Sequence, residues 1–538
     1  MPAPQYIPLE FQPGLWKNGT LYQARGRWFD ADLMRWSVGG LGPVGGWRTW
    51  GFATYPVRIK ADIGTDDDTG PGRTSLTWMD NRFRRWLAVG SAGKLYVYRD
   101  DAVLYDITPS GFTPGRINAD PNTGYGNSTY GHSSYGDSRP DLGTPIPAAI
   151  WSLDLWGEDL VGVMPEDGKI YQWDASVGEP TDTIAAQVAN SPELAISNIV
   201  TSERIHMVFG GTLEADPIEA DRDRRRVFWS DSEDNTDWTS TSTNLAGDQV
   251  LETKGDLLGA VKVRGQVLIF TTDDAHTATF VGLPYAYQFD RVGDNCGPVC
   301  TNAVAVAGNT AYWMGRSAQG FFKYDGYVSV IPCDVEDYIV TKMNQAQSSK
   351  VVAWHNTLFH EIVWFYPDGT ENDSYISYNY LEDHWSVGNL ARTSTTSRGI
   401  FQLPILFDSD GNPYEHEVGG TYEDVESIVR SPETVVTYKT ALIPYVESGP
   451  IQLGDGDRIL SATSLIPDVT TLGDIETTFY TRLYPTDSDT THGPYDMEAP
   501  TSVRFTGRTV RMKCIATEST NSWRLGVPRL EMQPGGRR

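Results

Sequence analysis

Five places in the 538-residue sequence carry residue types that chemistry needs. Asp408-Ser-Asp-Gly-Asn412 begins like a calcium loop, in which alternate oxygens ring the ion and a bidentate Glu closes it at the twelfth position. Counted from Asp408 that position is Gly419, so the closing ligand is missing. Gly315-Arg-Ser-Ala-Gln-Gly320 holds a serine, but not at the G-x-S-x-G spacing of a nucleophile elbow and with no helix behind it; it reads as a turn. His355 and His360 lie five apart in a strand-rich stretch, which turns their rings to opposite faces of an extended chain and away from a shared zinc. Cys296 and Cys300 form C-x3-C without a second Cys/His pair at finger spacing; with Cys333 and Cys514 they read as reduced structural thiols. Asp66-Asp-Asp68 reads as a solvated acidic turn. Carboxylate pairs suited to glycoside hydrolysis are inevitable among 70 acidic residues, and the sequence selects none. The expectation is no catalytic residue, no metal and no cofactor.

The elements that would position any site are almost all short strands. Runs of four to seven residues rich in Val, Ile, Tyr and Trp sit between Gly, Asp, Asn and Pro clusters. One helix is expected, over about 334–343, capped by Asp334 with Val335, Tyr338 and Ile339 on its apolar stripe. The strands arrive in six groups of meander type. The third strand tends to end in an aromatic followed by Asp or Asn: Tyr98/Asp100, Trp173/Asp174, Trp229/Asp231, Tyr324/Asp325 and Tyr378/Asn379. An aromatic there packs between stacked sheets while the Asx side chain bonds the turn backbone. Repetition of this kind predicts an all-β fold, a β-propeller of about six blades over 53–430. Two β-sandwiches are the alternative. Residues 119–145 are poor in aliphatics and carry Tyr125, Tyr130 and Tyr135 at five-residue spacing, a long exposed loop whose tyrosines suit a partner. Residues 431–538 alternate with period two and predict a β-sandwich-like terminal region.

Composition narrows the class. The formal charge is -27, with 70 acidic against 43 basic residues, which disfavours a protein that grips nucleic acid. Gly 53 and Pro 32 exclude a coiled coil, and 12% aromatics argue against disorder of the whole chain. No run approaches the length of a membrane span, and the start has neither a basic nor an apolar signal region.

Residues 1–52 read as an extended N-terminal docking arm with Trp16, Trp28, Trp36 and Trp47 as anchors. The arm runs Pro13-Gly-Leu-Trp-Lys-Asn-Gly-Thr-Leu-Tyr22, then Gly26-Arg-Trp-Phe-Asp-Ala-Asp-Leu-Met-Arg-Trp36, then Gly42-Pro-Val-Gly-Gly-Trp47. It resembles the opening of tail hub proteins of short-tailed phages, also called nozzle or packaged-DNA stabilisation proteins. Ile331-Pro-Cys-Asp-Val-Glu-Asp-Tyr338, Asn379-Tyr-Leu-Glu-Asp-His-Trp385, Gly449-Pro-Ile-Gln-Leu-Gly-Asp-Gly-Asp-Arg458, Trp523-Arg-Leu-Gly526 and the ending Gln533-Pro-Gly-Gly-Arg-Arg538 are similar too. The order of these short motifs carries the likeness; the tyrosine loop has no certain counterpart.

The resemblance implies a structural virion component, assembled in the host cytoplasm. Such proteins form a ring, typically a hexamer, below the portal and its adaptor, carry tail fibres or spikes, close the DNA channel and conduct genomic DNA at ejection. A strongly acidic lumen would repel phosphates and let DNA slide without sequence-specific binding. A carbohydrate-binding or glycan-hydrolysing propeller is the competing expectation.

Overall fold

The computed structural model describes every residue except 1–4, 39, 51–68, 100–103, 120–145, 177–182, 215–216, 317–319, 429–433, 453–457, 471–474, 518–522 and 538. Strands make up 51% of it and helix 5%. Six antiparallel four-stranded sheets follow one another, spanning 72–106, 152–187, 197–250, 257–293, 304–331 and 352–389, and in each the strands pair in chain order. A seventh begins with Ser394–Thr395, Ile405–Phe407 and Pro413–His416. Trp47–Thr49 then inserts beside Pro413–His416, followed by the hairpin Thr421–Ile428 and Thr434–Ala441. The opening strand of each sheet packs against that of the next. Ser394–Thr395 touches both Val352–Asn356 of the sixth sheet and Gly72–Met79 of the first, so the ring closes. The chain is a β-propeller.

Sheets stacked on both faces need strands that are apolar throughout. His206–Phe209 and Glu361–Pro367 are buried at every position. Tryptophans fill the wedges between sheets, and several of them place their indole N–H on a main-chain carbonyl, whereas that of the buried Trp354 has no partner. Trp151 donates to the Ser91 carbonyl (2.9 Å), Trp313 to Cys296 (2.6 Å) and Trp364 to Ala303 (2.9 Å). Among the Asx positions at third-strand ends, Asp231 Oδ1 accepts from the amides of Ser232 and Leu245 and Asn379 Oδ1 from those of Leu381 and Glu382, whereas Asp325 Oδ1 is buried without a hydrogen-bond partner and Asp100 lies outside the described residues.

Both chain ends build three further sheets together. Gln5–Pro8 pairs with Arg529–Arg537, Arg27–Asp32 with Tyr445–Ser448, and Gly40–Pro43 with Arg524–Leu525. The described residues of 1–52 are therefore no free extended arm. These strands bury their apolar side chains against the C-terminal strands and the fifth and sixth sheets together: Leu15, Trp28 and Met34 share one core with Phe479, Met512 and Leu530 and with Phe321, Trp364 and Trp385. The period-two reading of the C-terminal strands holds, since burial alternates strictly along Ile475–Arg482 and Thr509–Ala516. The boundary expected at 430 falls inside a hairpin of the seventh sheet.

The helix is Glu336–Lys342, shorter than expected. Asp334 does not cap it; its carboxylate is taken by Arg27 at 2.6 Å.

Candidate functional site

The described residues of the motifs at 13–47, 331–338, 379–385, 449–452 and 523–526 are far apart in sequence and meet in one junction between the terminal sheets and the fifth and sixth propeller sheets. Gly14 sits at φ +86 with its α-carbon pressed on the sixth sheet; a side chain there would lie 2.7 Å from the His384 β-carbon. The chain then turns so that the Lys17 amide donates to the Asp334 carbonyl (2.8 Å) and the Asn18 carboxamide to that of Cys333 (2.7 Å). Lys17 pairs with Asp30 at 2.5 Å and lies 3.9 Å above the Tyr338 ring. On the other side, Trp385 donates to the Pro332 carbonyl (2.8 Å), Ser386 to that of Met34 (3.0 Å), and the Val38 amide to Glu382 (2.7 Å). The C-terminal motifs close the cluster. The Gly449 amide donates to the Arg27 carbonyl at 2.8 Å, and a β-carbon on Gly449 would stand 2.0 Å from the Ala24 oxygen. Gly42 faces the Trp523 carbonyl as closely as glycine permits, 2.8 Å from where a β-carbon would be.

Arg35 is the electrostatic centre of this junction. Its Nε donates to both oxygens of Glu361 (2.9 and 2.8 Å), while Nη1 and Nη2 reach Glu417 (3.0 and 2.7 Å). Glu417 also accepts from the Gly45 amide (3.1 Å) and from Asn356 (2.8 Å). All three charged side chains are at most 7% exposed. Burial would lower the guanidinium's proton affinity, but the two carboxylates outweigh it and keep Arg35 charged. One cation cannot neutralise two buried anions, and burial pushes the Glu361 carboxyl up to about 7 against the pull of Arg35. The triad ties the first chain end to the sixth and seventh sheets.

A second buried cluster lies over one mouth of the propeller axis. Gln345–Lys350, between the fifth and sixth sheets, reaches the segment after the first sheet: Gln347 and Ala119 exchange two hydrogen bonds of 3.0 Å, and Ser349 accepts from the Ala148 amide (3.1 Å). Lys350 Nζ donates to Asn118 (2.5 Å), the Thr370 carbonyl (2.6 Å) and Glu371 (2.9 Å). Arg73 binds Glu371 through two bonds of 2.9 Å. Burial and the neighbouring Arg73 bring the Lys350 ammonium down to about 8. Burial pushes Glu371 up, yet its bonds to Arg73 and Lys350 outweigh that and hold it below the usual carboxylate range.

No family model and no curated protein matches the sequence. Among solved structures, a virginiamycin B lyase from Staphylococcus aureus is similar at 7% identity, covering 67% of this chain and 98% of that one with a TM-score of 0.38. The Pan2 WD40 domain of Neurospora crassa is similar at 9% identity, covering 68% and 94% with a TM-score of 0.37. Neither likeness carries an activity across to this chain.

The residues expected to dock a partner are largely spent within the chain. Trp28 and Trp36 are buried in the junction core, and Trp16 is half-buried beside it. Trp47 stacks on His416 at 5.4 Å and on Tyr422 at 5.0 Å, with the buried Arg392 guanidinium 4.9 Å from its ring. Tyr125, Tyr130 and Tyr135 lie outside the described residues; the chain on either side of them is held at the axis mouth by Lys350, Gln347 and Ser349.

Of the places examined for chemistry, the Asp408 carboxylate is used by the turn itself, accepting from the Asp410 and Asn412 amides and the Asn412 side chain. The Gly315 amide donates to the Gly320 carbonyl (2.8 Å), closing a turn, with residues 317–319 outside the description. Asp66, Asp67 and Asp68 also lie outside it. His355 and His360 do not share a strand: a turn separates them, and both rings approach the Tyr380 hydroxyl at 3.2 Å, so they converge instead of facing apart. No set of three or more His, Cys, Asp or Glu side chains converges on a metal position among the described residues. The buried charges Arg35, Glu361, Glu417, Arg73 and Lys350, and the half-buried Glu371 that pairs with the last two, escape sequence reasoning. The available signal is a charged residue inside an apolar run, as Arg35 between Met34 and Trp36.

Proposed function

We propose that this chain is a structural tail protein of a short-tailed phage, a nozzle or hub that forms a ring of six copies below the portal and its adaptor, bears fibres or spikes and conducts DNA at ejection. One observation carries the reading. The segments 331–338, 379–385, 449–452 and 523–526, on which with 13–47 most of the family resemblance rests, each touch the described part of 13–47. Their residue types are those that lock sheets together: glycines at close approaches, tryptophans in the core and one buried ion triad. That is the chemistry of a structural joint between a propeller and a terminal β region. In this reading the chain is not an enzyme.

The seven sheets are then seven blades, one more than the meander count suggests, the last being completed by Trp47–Thr49 from the other end of the chain. The terminal sheets form the sandwich-like platform. Because the Arg73–Glu371–Lys350 cluster covers one mouth of the propeller axis, the DNA lumen belongs between copies and not inside a propeller. The acidity of each copy, -27, suits a wall along which phosphates slide without adhering.

Mass measurement with negative-stain imaging of the purified chain, alone and with its portal–adaptor complex, tests the reading. Rings with a central hole are expected on the adaptor. A chain that stays monomeric in its presence would refute it.

A further inference from the structure

The fourth sheet differs from its neighbours in its outer hairpin. Ala275–Gly282 and Ala286–Gly293 have eight residues each, against four in Arg226–Trp229 and Gly247–Val250 of the third sheet. The longer hairpin forms one wall of a groove on the outer rim; the loop 240–246 and Gly247–Val250 form the other. The groove encloses about 590 Å³, a volume suited to a small ligand.

Its floor is built and rigid. Trp229 donates to the Leu245 carbonyl at 2.7 Å and meets Tyr287 edge-on at 5.7 Å. Gly247 lets its strand lie on that indole, since a β-carbon would come within 2.7 Å of the ring. Over this floor stands Tyr285, 77% exposed at the hairpin turn. Ser240, Thr241, Gln249 and Gln288 also line the groove and are exposed.

The lining selects a chemistry. No Lys or Arg lines the groove, and its one carboxylate, Asp248, is engaged by Arg226. A phosphate-bearing ligand or a nucleic-acid strand would lack cationic partners here. The Gln249 and Gln288 amides donate to the Val250 carbonyl (2.9 Å) and to Asp290 (3.0 Å), which holds both carboxamides at the groove with their oxygens free to accept, a polar rim that an aliphatic ligand would not use. What fits is an uncharged molecule with an apolar C–H face for a tyrosine ring and several hydroxyl or amide groups at its edge. We propose that this groove binds a neutral oligosaccharide, one sugar ring lying against Tyr285 and its polar groups meeting Gln249 and Gln288. The inference does not depend on the tail reading.

Titration with chitotriose, maltotriose, cellotriose and mannotriose by calorimetry and saturation-transfer NMR tests it; the first carries N-acetyl groups and the others only hydroxyls, which identifies the edge chemistry recognised. At least one should saturate a single site. Tyr285→Ala should weaken it tenfold or more and Tyr285→Phe should retain it, both with unchanged thermal stability because the side chain is exposed. Gln249→Ala should weaken binding on its own. Absence of binding by all four at about 5 mM, a concentration that detects millimolar dissociation constants, would overturn the proposal. So would binding that survives Tyr285→Ala, or displacement of the sugar by an anionic ligand.

Discussion

The side-chain amide of Asn302, at the entry to the fifth sheet, donates to the main-chain carbonyl of Arg73 in the first sheet at 3.2 Å. The sixth and seventh sheets lie between these two in the ring, so the bond crosses the propeller axis. Asn302 also reaches the Thr74 hydroxyl at 3.0 Å. Together with the Arg73–Glu371–Lys350 cluster it closes the mouth that an open propeller would leave.

The cluster sets a stability prediction. Removing Glu371 leaves two cations, Arg73 and Lys350, buried without a counter-charge. Glu371→Ala should therefore cost about 3–5 kcal/mol, the usual penalty for breaking a buried pair from one side. Lys350→Met, which keeps the Arg73–Glu371 pair, should cost clearly less. Denaturant unfolding of the three proteins measures this.

At the junction, Arg35→Met and Glu361→Gln should act in opposite directions. The first abandons two buried carboxylates and should destabilise by about 3–5 kcal/mol, with earlier proteolytic release of the chain ends. The second removes the surplus charge. Folding raises the Glu361 pKa from 4.5 to about 7, so its contribution is full below 4.5 and is lost as pH rises towards 7. Glu361→Gln should accordingly be neutral or stabilising at pH 8, checked by melting temperature.

Histidines impose the opposite slope in acid. His206 is buried near Trp156 and Trp238, and burial lowers its pKa from 6.5 to about 3. Burial and Arg392 hold His416 well below its ordinary value as well. The stability each lends is present above pH 6.5 and lost as pH falls, for His206 towards 3, at about 1.4 kcal/mol per pH unit. Unfolding free energies between pH 6.5 and 4 should show this fall, reduced by about one proton in His206→Gln.

All four cysteines are free and buried. Burial pushes the thiols of Cys296, Cys300 and Cys514 up to about 12, and that of Cys333 up likewise. A thiol reagent should leave the native protein unmodified and titrate four groups after denaturation.

What the sequence makes legible is local. The first, second, third, fifth and sixth sheets stand out because aromatic runs are punctuated by turn residues and finished by Asx. The seventh sheet does not: Ser394–Thr395 is two residues long, and Trp47–Thr49 joins from the far end of the chain. The same limit hides the joint. Trp28 and Trp36 look like anchors for another protein because the strands that bury them lie hundreds of residues away. The Arg35–Glu361 contact spans 326 positions, a separation no periodicity can encode.

Cryo-electron microscopy of the chain assembled on its portal–adaptor complex tests the central claim most directly. The account predicts a ring of six copies whose lumen lies between protomers, with each propeller axis closed at Asn302, Arg73 and Glu371. DNA density along a propeller's own axis, or a single copy bound with no ring, would contradict it.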